Sequence, residues 1–218
     1  MFEDLSNYIY QRLQNKVEEA GLNNYEIFGK EVENPVSDLV EDYLNENNIP
    51  YSAHRATNKN EFPDLKLTIY GTEYAFEHKA GASDKGPNND MGTLNAYPEK
   101  IDNYQDNIYC VFVKYSKATE DNGIVINEVY FDKIYRFIGK TASGNGILKY
   151  RKKDGNLRPK VWNDFSSNTV YFDSLEEFND GIEKTIEYRA EKLVEQHIKS
   201  LNPKSLERVY NKIGEILK

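Results

Sequence analysis

Residues 63–80, with the sequence PDLKLTIYGTEYAFEHKA, contain the clearest structural pattern of this chain. Apolar and polar residues alternate over 63–70 and again over 73–80. Because the side chains of a β-strand point alternately to its two faces, this alternation indicates two strands. Gly71-Thr72 lies between them and is typical of a tight turn. The sequence therefore predicts an antiparallel β-hairpin.

Two carboxylates and one lysine are predicted to meet on one face of this hairpin. Glu77 and Lys79 are two residues apart on the second strand and share a face, and Asp64 lies across the ladder from them. Paired carboxylates are oxygen ligands that suit Mg²⁺, and a bound metal lowers the pKa of a coordinated water. The lysine can orient or deprotonate that water and stabilise negative charge on a phosphate. This set predicts phosphodiester hydrolysis, although a surface salt bridge on an exposed hairpin would use the same charges.

Helices and strands are predicted around the hairpin from hydrophobic spacing and from helix-capping residues. Asn34 and Pro35 are expected to begin the helix that precedes the hairpin, as N-cap and first helical residue. Asn202-Pro203 is expected to separate two closing helices. The other predicted elements are a helix over 2–20, a loop over 81–97 with a short helix from Pro98, strands over 108–115 and 124–131, a basic β-hairpin over 147–162 and helices over 174–217. This order predicts an α/β or α+β domain with a mixed central sheet.

Composition narrows the class of protein. The chain has 218 residues, which favours a single domain over 1–218, and 13% aromatic residues, which is too many for a disordered chain. No apolar run is long enough to cross a membrane, and the first residues lack the basic start and apolar stretch that are typical of a signal peptide. A lone cysteine, Cys110, excludes an internal disulfide and a Cys-rich zinc site, so a cytoplasmic location is expected. The net charge of −8 by itself argues against a nucleic-acid partner.

Pro63-Asp64 followed by Glu77-His78-Lys79 resembles the motif of the PD-(D/E)XK nuclease superfamily. The surrounding order of elements, over a core of about residues 30–135, is similar to the αβββαβ core of that superfamily. The resemblance implies a restriction-endonuclease-like fold and a catalytic role for Asp64, Glu77 and Lys79. It also implies metal binding by Asp64, Glu77 and the backbone carbonyl of His78, whose ring is expected to pack on the opposite face.

Many members of this superfamily add a carboxylate from the helix that precedes the motif. Glu33 resembles that position and is the preferred catalytic candidate, although an acidic residue is also favourable at any helix N-terminus. Glu41 is the alternative, and its neighbours Val40 and Leu44 indicate that it lies beside the buried stripe of the helix. The sequence leaves the choice between Glu33 and Glu41 open.

Two segments are candidates for contacting DNA. The loop 81–97 offers short polar donors, which suit phosphates and base edges but are also ordinary turn residues. The segment 149–160 has six basic residues and one acidic residue, and a basic β-ribbon fits a major groove, although a charged edge hairpin is the alternative. The candidate DNA-binding residues are Lys85, Asn88, Asn89, Asn95, Lys149, Arg151, Lys152, Lys153, Arg158 and Lys160.

The compact size and the basic segment resemble a type II restriction endonuclease. That resemblance implies sequence-specific cleavage of double-stranded DNA to 5′-phosphates, one or two Mg²⁺ per active site with Mn²⁺ as a substitute, a homodimer, and a cognate DNA methyltransferase. The N-terminal and C-terminal helices are candidates for the dimer interface, for arms around DNA, or for covering the sheet. The alternatives are a repair or junction-resolving nuclease of the same superfamily and a non-catalytic DNA-binding protein.

Overall fold

The computed structural model describes residues 1–22, 24–58, 61–119, 123–141 and 146–216. Two short 3₁₀ turns, Leu94–Ala96 and Ile134–Arg136, accompany the main elements. In chain order these elements are α1 (Leu5–Glu19), α2 (Phe28–Glu31), α3 (Glu33–Glu46), β1 (Tyr51–Arg55), β2 (Leu65–Ile69), β3 (Thr72–Ala82), α4 (Tyr97–Tyr104), β4 (Ile108–Lys117), β5 (Ile124–Lys133), α5 (Trp162–Ser166), α6 (Leu175–Ser200) and α7 (Pro203–Ile216).

One five-stranded sheet, in the order β1-β2-β3-β4-β5, forms the centre of the molecule. Strands β3 and β4 are parallel and the other neighbours are antiparallel, which confirms the predicted mixed sheet with flanking helices. The run from α3 to β4 has the αβββαβ order. Strand β1 was not predicted, because it lies at the edge of the sheet and its three central residues are exposed, so its sequence shows no alternation.

The β2–β3 hairpin has the predicted pairing, with its turn one residue earlier than predicted. Ile69 pairs with Thr72, so the turn residues are Tyr70 and Gly71. Their φ angles are 49° and 80°, and two positive φ values are typical of the two-residue turns that match the twist of a hairpin. This tight connection sets the register that brings the start of β2 opposite the end of β3.

Two hydrophobic clusters cover the two faces of the sheet. Helices α1 and α3 pack on one face, and the apolar stripe of α1, from Leu5 to Val17, is fully buried there. Helix α4, residues 134–138 and 148–165, and the first half of α6 cover the other face. The N-terminal helix therefore covers the sheet, which was one of its three expected roles. No helix among the described residues is long and apolar enough to span a membrane.

Three predicted boundaries are wrong. Helix α3 begins at Glu33, so Asn34 and Pro35 lie inside its first turn and Asn34 is not the N-cap. Strand β3 continues to Ala82 through its parallel pairing with β4, which shortens the predicted loop. The 147–162 segment is not a regular β-ribbon: it contains isolated bridges such as Tyr150 to Leu157, because its backbone also bonds to residues 91–94 and 137–139.

Candidate active site

The hairpin register brings Asp64, Glu77 and Lys79 together. Leu65 pairs with Phe76, so Asp64 lies next to Glu77 on the same face of the sheet. The Nζ atom of Lys79 is 2.6 Å from Oε1 of Glu77 and 3.8 Å from Oδ2 of Asp64. The three side chains are only 14%, 12% and 15% exposed, respectively, so this is a partly buried charged cluster and not a surface salt bridge.

The environment of Lys79 keeps its amine protonated. Burial alone would lower the pKa of Lys79, but the neighbouring carboxylates of Glu77 and Asp64 outweigh burial and raise this pKa above its usual value. Held in this way, Lys79 is an ammonium at neutral pH. Of the two roles expected for it, stabilising charge and orienting groups is the one that a protonated Lys79 can perform.

His78 supports the cluster from the opposite face of β3. Its backbone N–H donates to Oδ2 of Asp64 at 2.6 Å, which fixes one carboxylate oxygen. Its ring is 1% exposed, with Nδ1 3.4 Å from Oγ of Ser37, and burial lowers the pKa of His78 to about 3. The ring is therefore a neutral core group, as expected, and only the backbone carbonyl of His78 is left as a candidate metal ligand.

Glu33, and not Glu41, lies beside this cluster. Desolvation raises the pKa of Glu33, and the charges of Asp64 and Glu77 raise it further while Lys79 opposes them, so its carboxyl lies within electrostatic range of all three. Glu41 instead accepts hydrogen bonds from Nε of Arg55 at 2.8 Å and from the Tyr51 hydroxyl at 3.2 Å. The structure thus favours Glu33 as the upstream carboxylate.

Glu33→Gln is expected to lower the cleavage rate about 10- to 100-fold, because the side chain supports the site electrostatically from its edge. Glu41→Gln is the matched control on the same helix, and it should change the rate less than about threefold because the Glu41 carboxylate is bound to Arg55 and Tyr51 and not to the cluster. Single-turnover cleavage of a duplex oligonucleotide measures both. A larger loss for Glu41→Gln than for Glu33→Gln would reverse the assignment.

The donor set fits a magnesium ion that keeps part of its water shell. Mg²⁺ is commonly held by one or two carboxylates with several waters, and Asp64, Glu77 and the His78 carbonyl supply that chemistry. No group of three His, Cys, Asp or Glu side chains in the described ranges is assembled into a complete metal cage. The protein donors would thus be two carboxylates and one carbonyl, which would leave room for water and a phosphate.

A cleft of about 750 Å³ opens beside the cluster. Its lining includes Glu77 and Lys79 of the cluster together with Gly92, Lys100 and Asn103. Burial, above all, lowers the pKa of Lys100, and the charge of Lys79 adds to this while Glu77 opposes it. Lys100 was missed in the sequence, where the only signal was a lysine on the short helix expected after Pro98.

The candidate DNA-binding residues separate into exposed and buried groups. Arg158 is 8% exposed and forms an ion pair with Asp90 at 2.9 Å. Lys160 is 5% exposed, and its Nζ donates to the Thr169 carbonyl at 2.6 Å. These two residues hold the segment to the domain, so their predicted DNA contact is not supported. The candidates that remain exposed or half-exposed are Lys85, Asn88, Asn89, Asn95, Lys149, Arg151, Lys152 and Lys153.

Trp162 joins the loop after β3 to the basic segment. Its Nε1 donates to the carbonyls of Ala82 at 3.1 Å and Lys85 at 2.8 Å. A Cβ at Gly81 would lie 2.8 Å from the indole, so only glycine fits beside it. The side-chain amide of Asn89 donates to the Ala80 carbonyl at 2.8 Å, and this hydrogen bond also holds the loop against the end of β3. The loop and the basic segment form one continuous surface beside the cleft.

Comparison with known proteins agrees with this architecture. A family model described as NgoBV restriction endonuclease matches residues 8–216. The solved structure of the NlaIV restriction endonuclease is similar, with a TM-score of 0.52 and 18% sequence identity over 94% of this chain and 89% of that chain. At this identity the structural likeness shows a shared restriction-endonuclease-like fold. No curated protein matches the chain in sequence.

Proposed function

Because the chain belongs to the NgoBV restriction endonuclease family, we propose that it is a type II enzyme that cuts double-stranded DNA at a specific sequence. The proposal includes dependence on Mg²⁺ and products with 5′-phosphate ends. The observation that carries it is the convergence of Asp64, Glu77 and Lys79 at the edge of an open cleft. A repair nuclease and a non-catalytic DNA-binding protein are the alternative functions, and the test below distinguishes them.

The proposed chemistry assigns a separate task to each group. Asp64, Glu77 and the His78 carbonyl would hold one or two Mg²⁺, or Mn²⁺ in its place, and the metal would supply an activated water and a counter-charge for the phosphate. His78 keeps Asp64 oriented through its backbone N–H. Lys79 contributes a permanent positive charge that stabilises the extra negative charge of the pentavalent phosphate.

An acidic chain can bind DNA if its positive charge is local. The net charge is −8, but the loop and the basic segment present Lys85, Lys152 and Lys153 at the surface. Phosphate contacts from these lysines would provide salt-dependent affinity, and the exposed Asn88 and Asn95 would be available for base edges. The carboxylates of the site repel phosphate, so a divalent cation should strengthen binding.

Incubating plasmid DNA with the protein and Mg²⁺ tests the proposal. Discrete fragments with 5′-phosphate ends are the expected result. A smear or a preference for branched DNA would support a repair nuclease, and DNA binding without cleavage would support a non-catalytic protein. The proposal also implies a cognate methyltransferase that protects the same site, a cytoplasmic location, and one nuclease domain over residues 1–218.

We also propose that the enzyme is a homodimer joined through the helical hairpin of α6 and α7. The first half of α6 is anchored in the core by Phe178 and Ile182, whereas α7 has no buried residue. Between the second half of α6 and α7 lies an apolar groove of about 360 Å³. The groove is lined by residues that include Val194, Ile198, Leu201, Leu206, Val209 and Ile213.

A second copy fits this surface better than DNA does. Residues 183–216 carry seven basic and six acidic residues, so the hairpin lacks the cationic excess that a DNA arm needs. Six large apolar side chains on the hairpin are between 39% and 72% exposed. Two such surfaces would bury on the order of 1,000 Å² of apolar area, which approaches the size of a specific interface. Two amphipathic hairpins would pair as a four-helix bundle.

A further inference from the structure

Lys100 on α4 is a partly buried cation without an anionic partner. Its Nζ lies 3.5 Å from the centre of the Phe62 ring and 5.2 Å from that of Tyr97. Among the described residues, no carboxylate is within 4.0 Å of this ammonium and no hydrogen-bond acceptor is paired with it. The charges of Glu77, Lys79 and Asp64 act on this ammonium, which lines the same cleft as Glu77 and Lys79.

Such a cation is costly to keep. Partial burial of an ammonium without an anionic partner is unfavourable for the folded state, and contact with two aromatic faces offsets only part of that cost. Other half-buried lysines of this chain have partners: Lys133, which also lies over a tyrosine ring, is 3.1 Å from Asp106. Lys100 therefore has the environment expected of a lysine whose anionic partner is part of a bound ligand.

The backbone beside Lys100 keeps its ammonium accessible. Gly92 has a φ of +95°, and a Cβ there would lie 3.0 Å from Nζ of Lys100 and 3.3 Å from the Tyr97 ring. Any larger residue would be strained and would close the space next to the ammonium. The lining of the cleft also includes the neutral hydrogen-bonding residues Thr93 and Asn103, together with the carboxylates of Glu61, Asp90 and Glu99, none of which is within 4.0 Å of the Lys100 ammonium.

We propose that Lys100 binds a backbone phosphate of the DNA in the cleft that contains Glu77 and Lys79. This inference rests on the proposed nuclease function and adds a phosphate-binding residue outside the carboxylate–lysine motif. A phosphate oxygen would supply the missing acceptor for the ammonium, and it is the anion that a DNA strand in this cleft presents. Lys79 and Lys100 would then contact the strand from two sides of the cleft.

Lys100→Met tests the proposal, because methionine keeps the apolar stem and removes the charge. We expect the melting temperature to rise by about 2–4 °C, since an unpaired cation is removed. Affinity for a short duplex in Ca²⁺ should fall about tenfold, and the slope of log K against log salt should become shallower by about 0.9. Lys100→Arg should retain most of the affinity and the slope.

Lys133→Met is the matched control, because it removes a lysine that is paired with Asp106 and does not line the cleft. It should lower the melting temperature and leave DNA affinity unchanged.

A lower melting temperature for Lys100→Met together with unchanged affinity and slope would overturn the proposal and make Lys100 structural. Wild-type protein that binds the duplex but does not cut in Mg²⁺ would instead overturn the nuclease function and leave the Lys100 comparison valid. Wild-type protein without DNA affinity would overturn both.

Discussion

Replacing Asp64 with asparagine is expected to lower the DNA cleavage rate by at least about 1,000-fold, because the site loses one of its two carboxylate ligands and with it the activation of water. The variant should fold, since asparagine keeps an oxygen that can accept the His78 N–H bond now made at 2.6 Å. DNA binding in Ca²⁺ should be kept or tightened, because a negative charge that repels phosphate is removed. Glu77→Gln is expected to behave in the same way.

Single-turnover cleavage and duplex binding, measured on the same preparations, check this prediction. Glu73→Gln is the matched control: Glu73 lies on the same hairpin and pairs with Lys66 at 3.2 Å, at the end away from the cluster. It should cleave within about twofold of wild type. Full activity in Asp64→Asn would remove Asp64 from the active site, and equal losses in Glu73→Gln would show that the effect comes from the hairpin as a whole.

Ile213→Glu is expected to convert a dimer into a monomer. Ile213 is 44% exposed in the single chain and lines the groove between α6 and α7. In a four-helix bundle each copy would bring one unpaired carboxylate into an apolar interface, which should weaken association at least about 100-fold. Sedimentation velocity should report the mass of one chain, 25.3 kDa, where wild type reports twice that value.

Asn211→Glu is the control for added charge on the same helix, because Asn211 is exposed and does not line the groove. It should sediment as wild type does. If the enzyme cuts each strand with one subunit, Ile213→Glu should also nick plasmid DNA much faster than it linearises it. A wild-type protein that is monomeric with and without DNA would contradict the dimer, and a dimeric Ile213→Glu would place the interface elsewhere.

Local pattern was enough to predict the hairpin and the grouping of its charges. The period of two residues determines which side chains share a strand face, and a short turn limits the register, so Asp64, Glu77 and Lys79 follow from residues 63–80. The strands over 108–115 and 124–131 were also recognised, because β4 and β5 contain apolar runs that suit a sheet covered on both faces. The catalytic roles of Asp64, Glu77 and Lys79 stay predictions.

Features that depend on long-range packing were missed or mistaken. Charge alone marked Arg158 and Lys160 as surface groups, but their cationic ends are satisfied by Asp90 and by the Thr169 carbonyl. The edge strand β1 has no apolar alternation, since only pairing with β2 makes it a strand.

The sequence by itself therefore determined the central hairpin, the carboxylate–lysine cluster and the class of fold, because each follows from residues near one another along the chain. Only the tertiary structure brings Glu33 within electrostatic range of the cluster while Glu41 binds Arg55, and only it places Lys100 in the lining of the same cleft as Glu77 and Lys79. These residues come from helices α3 and α4, whose placement against the sheet depends on packing between segments distant in sequence. Which side chains end up without a partner is likewise a property of the assembled fold.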